Sequence, residues 1–140
     1  HSNGYSLARK ILNETSLLQE TEFTAQDFLE PTKIYVDDID NLTTAYTIKG
    51  IANITGGGIE ENLIRILPEN SQAKINKSAI KPLKIFDALQ QFGQVNEQEM
   101  FRVFNMGVGM IVISKDTINY DGVYPIGKIE KSSKTGVVYV

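Results

Sequence analysis

The sequence feature that most directly suggests binding chemistry is a run of three glycines, residues 56–58, that follows Thr55 and precedes a predicted helix. The first turn of a helix has backbone N–H groups without partners, and glycine lets a ligand approach the main chain closely. The motif therefore predicts an anion site, with the side chains of Glu60 and Glu61 pointing away from it. The alternative is a tight strand-to-helix turn that needs positive φ. The spacing matches neither a Walker A motif nor the dinucleotide fingerprint.

The three arginines form the second feature, because eleven of the fourteen basic residues are lysines. The planar guanidinium suits contacts with phosphate or carboxylate oxygens, whereas lysine is the usual solvated charge. Arg9, Arg65 and Arg102 are therefore candidate ligand-binding residues. The alternatives are local: Arg65 can pair with Glu61, Arg102 can pair with Glu99, and Arg9 can lie on an exposed helix face.

Two further segments combine polar side chains with glycine. Asn105 and Gly107 lie between a predicted helix and a buried strand, where glycine permits a bulge or the close approach of a ligand. Asn105 can point its amide into a cleft or cap the preceding helix. Residues 1–4 place the only histidine beside a hydroxyl and an amide, although a terminal histidine is often a disordered end or a tag remnant.

The elements that must position these residues follow from apolar periodicity. Helices and strands alternate irregularly, so we expect the α+β class, with a mixed β-sheet flanked by helices in α/β/α layers. Predicted helices cover residues 6–13, 60–67, 82–93 and 96–104, with a short one after Thr24 and another after Asp37. Ser2 or Asn3 is the expected cap of the first helix. Predicted strands cover residues 33–36, 50–55, 73–76, 109–114, 123–129 and 137–140.

Length and composition limit the function classes. With 140 residues the chain corresponds to one domain, and 41% hydrophobic residues can fill a core. A net charge of −3 argues against nucleic acid as a partner, and no apolar run is long enough for a membrane helix. The absence of cysteine excludes disulfides and thiolate chemistry, and the single histidine argues against a metal site. The predicted core contains Leu7, Ile11, Ile54, Leu63, Phe86, Leu89, Phe104, Ile111 and Ile113.

Four ordered blocks, residues 1–9, 29–36, 54–63 and 100–110, resemble the C-terminal half of phosphoribosylformylglycinamidine cyclo-ligase, also called aminoimidazole ribonucleotide synthetase. The resemblance implies a cytoplasmic, homodimeric enzyme of purine biosynthesis about twice this long, with residues 1–140 as its C-terminal domain. The N-terminal half of the family forms the dimer and binds ATP and Mg²⁺. We therefore expect no cofactor in this chain and no activity from it alone. The chain does not begin with Met, which fits a piece of a longer protein.

The family converts formylglycinamidine ribonucleotide to aminoimidazole ribonucleotide. ATP phosphorylates the formyl amide oxygen, and an amidine nitrogen then closes the ring with loss of phosphate. The resemblance implies that the C-terminal domain closes the substrate cleft, with the glycine loop near the ribose 5-phosphate and His1 as a candidate for proton transfer. The implied substrate-binding residues are His1, Ser2, Asn3, Gly4, Arg9, Thr55, Gly56, Gly57, Gly58, Asn62, Arg65, Arg102, Asn105 and Gly107.

Two alternative interpretations remain open, and the sequence differs from the pattern of the family at one place. The glycine loop also suits a free-standing module that binds a phosphorylated metabolite. Related ATP-using enzymes, such as formylglycinamidine ribonucleotide synthetase and selenophosphate synthetase, have an equivalent domain. The departure is a short connection: the family has a helix of about three turns after the strand that ends at Ser114, whereas residues 115–123 leave room only for a turn.

For the complete enzyme we expect His1→Asn to weaken substrate binding about tenfold with little loss of turnover, as the removal of one hydrogen bond would. No carboxylate in this segment can orient the imidazole for proton transfer. Steady-state kinetics and a binding titration measure both quantities. A fall in turnover of more than about a hundredfold would instead indicate proton transfer. Changes below about threefold in both quantities would exclude either role and leave a structural one.

Overall fold

The helices form largely where apolar residues recur at helical spacing. In the computed structural model, which describes residues 3–140, α1 turns its apolar side inward and buries Ala8 and Ile11. The helices are α1 (Tyr5–Glu14), α2 (Leu17–Glu20), α3 (Val36–Ala45), α4 (Gly58–Leu63), α5 (Lys84–Gly93) and α6 (Glu97–Val103). Short 3₁₀ helices cover Ala25–Leu29, Ile64–Ile66 and Lys77–Ala79. Helix α2 was not predicted, because four residues are too few to show a period.

Two helix starts have the side-chain caps that their sequences indicate. Thr24 and Asp27 form a capping box, in which the Thr24 N–H donates to the Asp27 carboxylate at 2.6 Å. The Asn96 side chain accepts a hydrogen bond from the Glu99 N–H at 2.9 Å. The predicted cap of α1 is wrong for Asn3: the N-cap is Gly4, in the left-handed region at φ 75°, without a side-chain cap. The amide of Asn3 is used elsewhere.

The strands form two sheets, which confirms the α+β class but divides the single mixed sheet that we expected. Strands β1 (Ile48–Asn53) and β3 (Met110–Ser114) pair antiparallel. In the second sheet β2 (Ser71–Ile75) lies between β4 (Gly127–Lys131), which is antiparallel to it, and β5 (Gly136–Tyr139), which is parallel. A strand has two edges, so β2 has none left for β1 or β3.

One predicted strand is wrong, and the strand predicted over residues 123–129 begins only at Gly127. Residues 30–35 contain no regular secondary structure, and α3 begins at Val36. The side chains of Ile34 and Val36 are 81% and 70% exposed, so the β-branched pattern here does not mark a buried strand. Instead, the Lys33 ammonium contacts the Asp38 carboxylate at 2.7 Å and lies over the Tyr35 ring at 5.2 Å from its centre.

The connection between β3 and β4 contains no helix, as the shortened sequence predicts. Side-chain hydrogen bonds tie this connection, residues 115–126, to α3 and its C-terminal end. The Tyr46 hydroxyl donates to the Asn119 carbonyl at 2.9 Å, and the Tyr120 hydroxyl donates to the Asp38 carboxylate at 3.2 Å. Polar contacts with α3 therefore hold this irregular connection in place.

One cluster of apolar side chains connects the helices to both sheets, and every predicted core residue belongs to it or packs against it. The Phe86 and Phe104 rings meet edge to face, with their centres 5.7 Å apart. On either side of the glycine loop, Ile54, Ile59 and Leu63 are each 2% exposed or less. The core therefore fixes both the strand before this loop and the helix after it.

The substitution Gly58→Ala should lower the free energy of unfolding by at least about 2 kcal/mol. Gly58 has φ 62°, and a Cβ at this position would overlap the carbonyl oxygen of Phe101 at the end of α6. Gly136→Ala is the matched control, because a Cβ there would meet no atom within 4 Å. Urea unfolding of both variants measures the difference. Equal losses in the two variants would contradict the close packing of α4 on α6.

Candidate functional site

Asn3 joins three segments that are far apart in the sequence. Its side-chain Nδ2 donates to the main-chain carbonyl of Thr55 and to that of Val103, both at 3.1 Å. A planar amide has two N–H groups, so one side chain can satisfy both carbonyls. The beginning of the chain, the glycine loop and the end of α6 therefore meet at Asn3.

Gly4 allows the chain to pass close to α6 at the same junction. A Cβ on Gly4 would overlap the ring of Phe104 and lie 3.3 Å from a methyl group of Val103, and its φ of 75° is strained for other residues. The glycine that starts α1 is therefore required by packing as well as by its backbone conformation.

An open groove of about 500 Å³ lies at this junction. Its walls come from the start of α1, the glycine loop, the first turns of α4 and the last turn of α6, so three of the four predicted blocks contribute to it. The lining residues are Gly4, Tyr5, Ser6, Leu7, Gly56, Gly57, Glu61, Arg102 and Val103.

The side chain of Asn62 stabilises the glycine loop from its buried side. Its side-chain amide is buried, donates to the carbonyls of Gly58 at 2.7 Å and Gly56 at 3.2 Å, and lies 3.3 Å from the Thr55 hydroxyl. The Gly58 N–H donates to the Thr55 carbonyl at 3.2 Å, which closes the turn. Asn62 was predicted to bind substrate, but the structure places it among loop carbonyls and outside the groove lining.

The three glycines of the loop are required for different reasons. Gly57 and Gly58 have φ of 90° and 62°, so the turn itself needs them. Gly56 has no such constraint, and a Cβ there would meet no atom within 4 Å. The fold therefore does not require glycine at position 56, where the main chain is exposed.

Charged side chains lie on two sides of the groove. The Arg102 guanidinium donates to both carboxylate oxygens of Glu99, at 2.6 and 2.7 Å, and these bonds hold the pKa of Glu99 below its ordinary value. The expectation that Glu61 points away from the loop is wrong: its carboxylate lies beside Gly57, in space that a Cβ there would occupy, and lines the groove. A residue pattern cannot show which way such a side chain turns.

The other predicted site residues lie outside the groove lining. Arg9 is exposed on α1, and Arg65 is exposed in the 3₁₀ turn after α4. Asn105 is 1% exposed, and its Oδ1 accepts a hydrogen bond from the Gly107 N–H at 3.0 Å. The Asn105 Nδ2 has no hydrogen-bond partner among the described residues.

Of the predicted site residues, the structure thus brings together Asn3, Gly4, Gly56, Gly57 and Arg102. Thr55 joins them through its main-chain carbonyl, which accepts the hydrogen bond from Asn3. His1 and Ser2 lie outside the described residues. Sequence reasoning did not single out Tyr5, Ser6, Leu7, Glu61 or Val103 as site residues, although all five belong to the matched blocks. Their membership in those blocks was the available signal.

The fold and the convergence of these blocks on one groove define the class of domain. Over residues 1–140 the chain matches the family described as AIR synthase related protein, C-terminal domain, and it belongs to this family. No helix within residues 3–140 is long and apolar enough to cross a membrane.

The similar curated proteins are more specific. The chain is 40% identical to phosphoribosylformylglycinamidine cyclo-ligase of Syntrophotalea carbinolica, over 97% of the chain and 44% of that protein. It is 40% identical to the enzyme of the same name from Latilactobacillus sakei, over the whole chain and 46% of that protein. The Neisseria meningitidis enzyme is 46% identical over 81% of the chain. The chain spans less than half the length of these relatives.

The Latilactobacillus sakei alignment extends over 158 residues, whereas this chain has 140. The chain is therefore shorter than that relative over the region that they share.

The substitution Asn3→Ala should lower the free energy of unfolding by about 1 to 3 kcal/mol, because it removes two hydrogen bonds that join distant segments. Asn13→Ala is a suitable control, since Asn13 is exposed on α1 and has no side-chain hydrogen bond among the described residues. Thermal or urea unfolding measures both changes. An equal effect of the two substitutions would show that Asn3 does not hold the groove together.

Proposed function

We propose that the chain is the C-terminal domain of a phosphoribosylformylglycinamidine cyclo-ligase of de novo purine biosynthesis. The complete enzyme converts formylglycinamidine ribonucleotide to aminoimidazole ribonucleotide and ATP to ADP and phosphate. In this proposal the groove between α1, the glycine loop and α6 forms one wall of the substrate cleft. The observation that carries the proposal is the convergence of three separate blocks of the cyclo-ligase sequence on this groove.

The shape of the groove supports a role in binding a small molecule. Its volume of about 500 Å³ lies within the range of about 300 to 1,000 Å³ that ligand sites occupy. It is open on one side, so a ligand held there would remain partly exposed until a second body covered it. We assign this covering to the N-terminal half of the enzyme, which supplies the opposite wall.

We assign ATP and magnesium to that other half. Magnesium takes oxygen ligands, usually several waters together with one or two carboxylates and the phosphates of the substrate. Within residues 3–140, no three His, Asp or Glu side chains lie together in a way that could hold a metal ion. We assign the phosphorylation of the formyl amide to groups in that half as well, and we expect the chain alone to be inactive. The cytoplasmic homodimer is likewise a proposal for the complete enzyme.

Among related ATP-using enzymes the cyclo-ligase is favoured, because relatives at 40% to 46% identity are named for it. The free-standing binding module remains the alternative of another class. The two differ in a simple measurement: only the cyclo-ligase hydrolyses ATP when formylglycinamidine ribonucleotide is added, and only when both halves are present.

In the complete enzyme, Gly56→Ala should raise the KM for formylglycinamidine ribonucleotide up to about tenfold while leaving the midpoint of unfolding unchanged. The added methyl group projects into space free of protein atoms, so it spares the fold but blocks a main-chain contact worth about 0.5 to 1.5 kcal/mol. Gly136→Ala should change neither quantity. If Gly56→Ala leaves KM unchanged, the substrate does not use this wall.

A further inference from the structure

We propose that the Glu61 carboxylate binds the amidinium group of the substrate. This inference rests on the proposed function, because it takes the substrate to be formylglycinamidine ribonucleotide. It deepens that function by assigning one chemical group of the substrate to one side chain of the groove.

The first observation is the position of the carboxylate. Glu61 lies in the first turns of α4, and its side chain turns back toward the start of the helix, beside Gly57. Gly57 has no side chain, and a Cβ there would overlap the carboxylate. The loop thus leaves space for a carboxylate that lines the groove.

The second observation is the environment of this carboxylate, which lies close enough to Arg102 to help raise the pKa of that guanidinium. Glu61 makes no side-chain hydrogen bond or ion pair with any residue that the structure describes, whereas Arg102 across the groove already has a partner. The guanidinium of Arg102 uses its Nε and one Nη to contact both oxygens of Glu99. The positive charge of Arg102 is thus balanced by Glu99. The Glu61 carboxylate nearby adds a further negative charge, which favours a cation in the groove.

The Arg102–Glu99 pair also shows the geometry that we propose for Glu61. An amidinium, like a guanidinium, is a planar cation with two parallel N–H groups, and it fits the two oxygens of a carboxylate with two charge-assisted hydrogen bonds. An amide in place of the amidine is neutral and turns a carbonyl oxygen toward the carboxylate. Glu61 therefore distinguishes an amidine from the corresponding amide.

The competing occupant is the substrate phosphate, which the glycine loop alone would attract. A phosphate at this loop would lie near the Glu61 carboxylate, and like charges at short distance repel each other. Removal of the Glu61 charge has opposite effects in the two cases. It weakens the binding of an amidinium, and it strengthens the binding of a phosphate.

The experiment compares two ribonucleotides that differ in one group. Calorimetry on the complete enzyme without ATP measures the dissociation constants of formylglycinamidine ribonucleotide and of its amide counterpart, formylglycinamide ribonucleotide. We expect the wild type to prefer the amidine by about ten- to a hundredfold, as one charge-assisted contact predicts. Glu61→Gln should abolish this preference by weakening amidine binding alone.

Two further variants complete the design. Glu60→Gln removes the neighbouring charge, which is exposed and does not line the groove, and should keep the preference. Glu61→Asp keeps the charge on a shorter side chain and should retain part of it. Unfolding curves for all variants show whether the fold is intact.

The outcomes separate the inference from the function on which it rests. A preference that survives Glu61→Gln, or an equal loss for both ribonucleotides, would overturn the inference. Tighter binding of both ribonucleotides and of inorganic phosphate by Glu61→Gln would overturn it in favour of a phosphate at the loop. If the wild-type enzyme binds neither ribonucleotide, the proposed function itself fails.

Discussion

The groove depends on one side-chain amide. Asn3 donates one hydrogen bond to the glycine loop and one to the end of α6, and each bond spans a long stretch of sequence. These contacts align the main chain of three segments whose side chains then face a common space. The groove-lining residues come from elements that are only six to ten residues long, so tertiary contacts of this kind must hold them in place.

Close approach of main chains is the second constraint on this region. Gly4 passes over the Phe104 ring, and Gly58 lies against the Phe101 carbonyl, so the starts of α1 and α4 both press on the last turn of α6. Side chains at these positions would separate the helices. In the glycine loop the turn requires Gly57 and Gly58, packing on α6 further requires Gly58, and only Gly56 is left without a structural reason to be glycine.

Local features of the fold could be predicted from the sequence, because they depend on residues close together in the chain. The caps at Thr24 and Asn96 and all of the predicted core residues are confirmed. Residues 33–36 were predicted wrongly, because a strand exists only beside a partner and the pattern of one segment does not reveal its neighbours. The division into two sheets escaped prediction for the same reason. In the site, the blocks were found, but the rotamer of Glu61 and the bridging role of Asn3 depend on the assembled packing.

The order of the strands has a consequence for the synthesis of this domain. All residues that line the groove come before β3 in the sequence. The central strand β2 also comes before β3, but both of its partners, β4 and β5, come from the last part of the sequence. During translation β2 therefore emerges from the ribosome well before either partner exists. Both of its edges stay open for that interval, and open strand edges are the sites at which nascent chains associate with one another. The domain thus passes through a vulnerable stage in which the elements that line the groove are made but the sheet that completes the core is not.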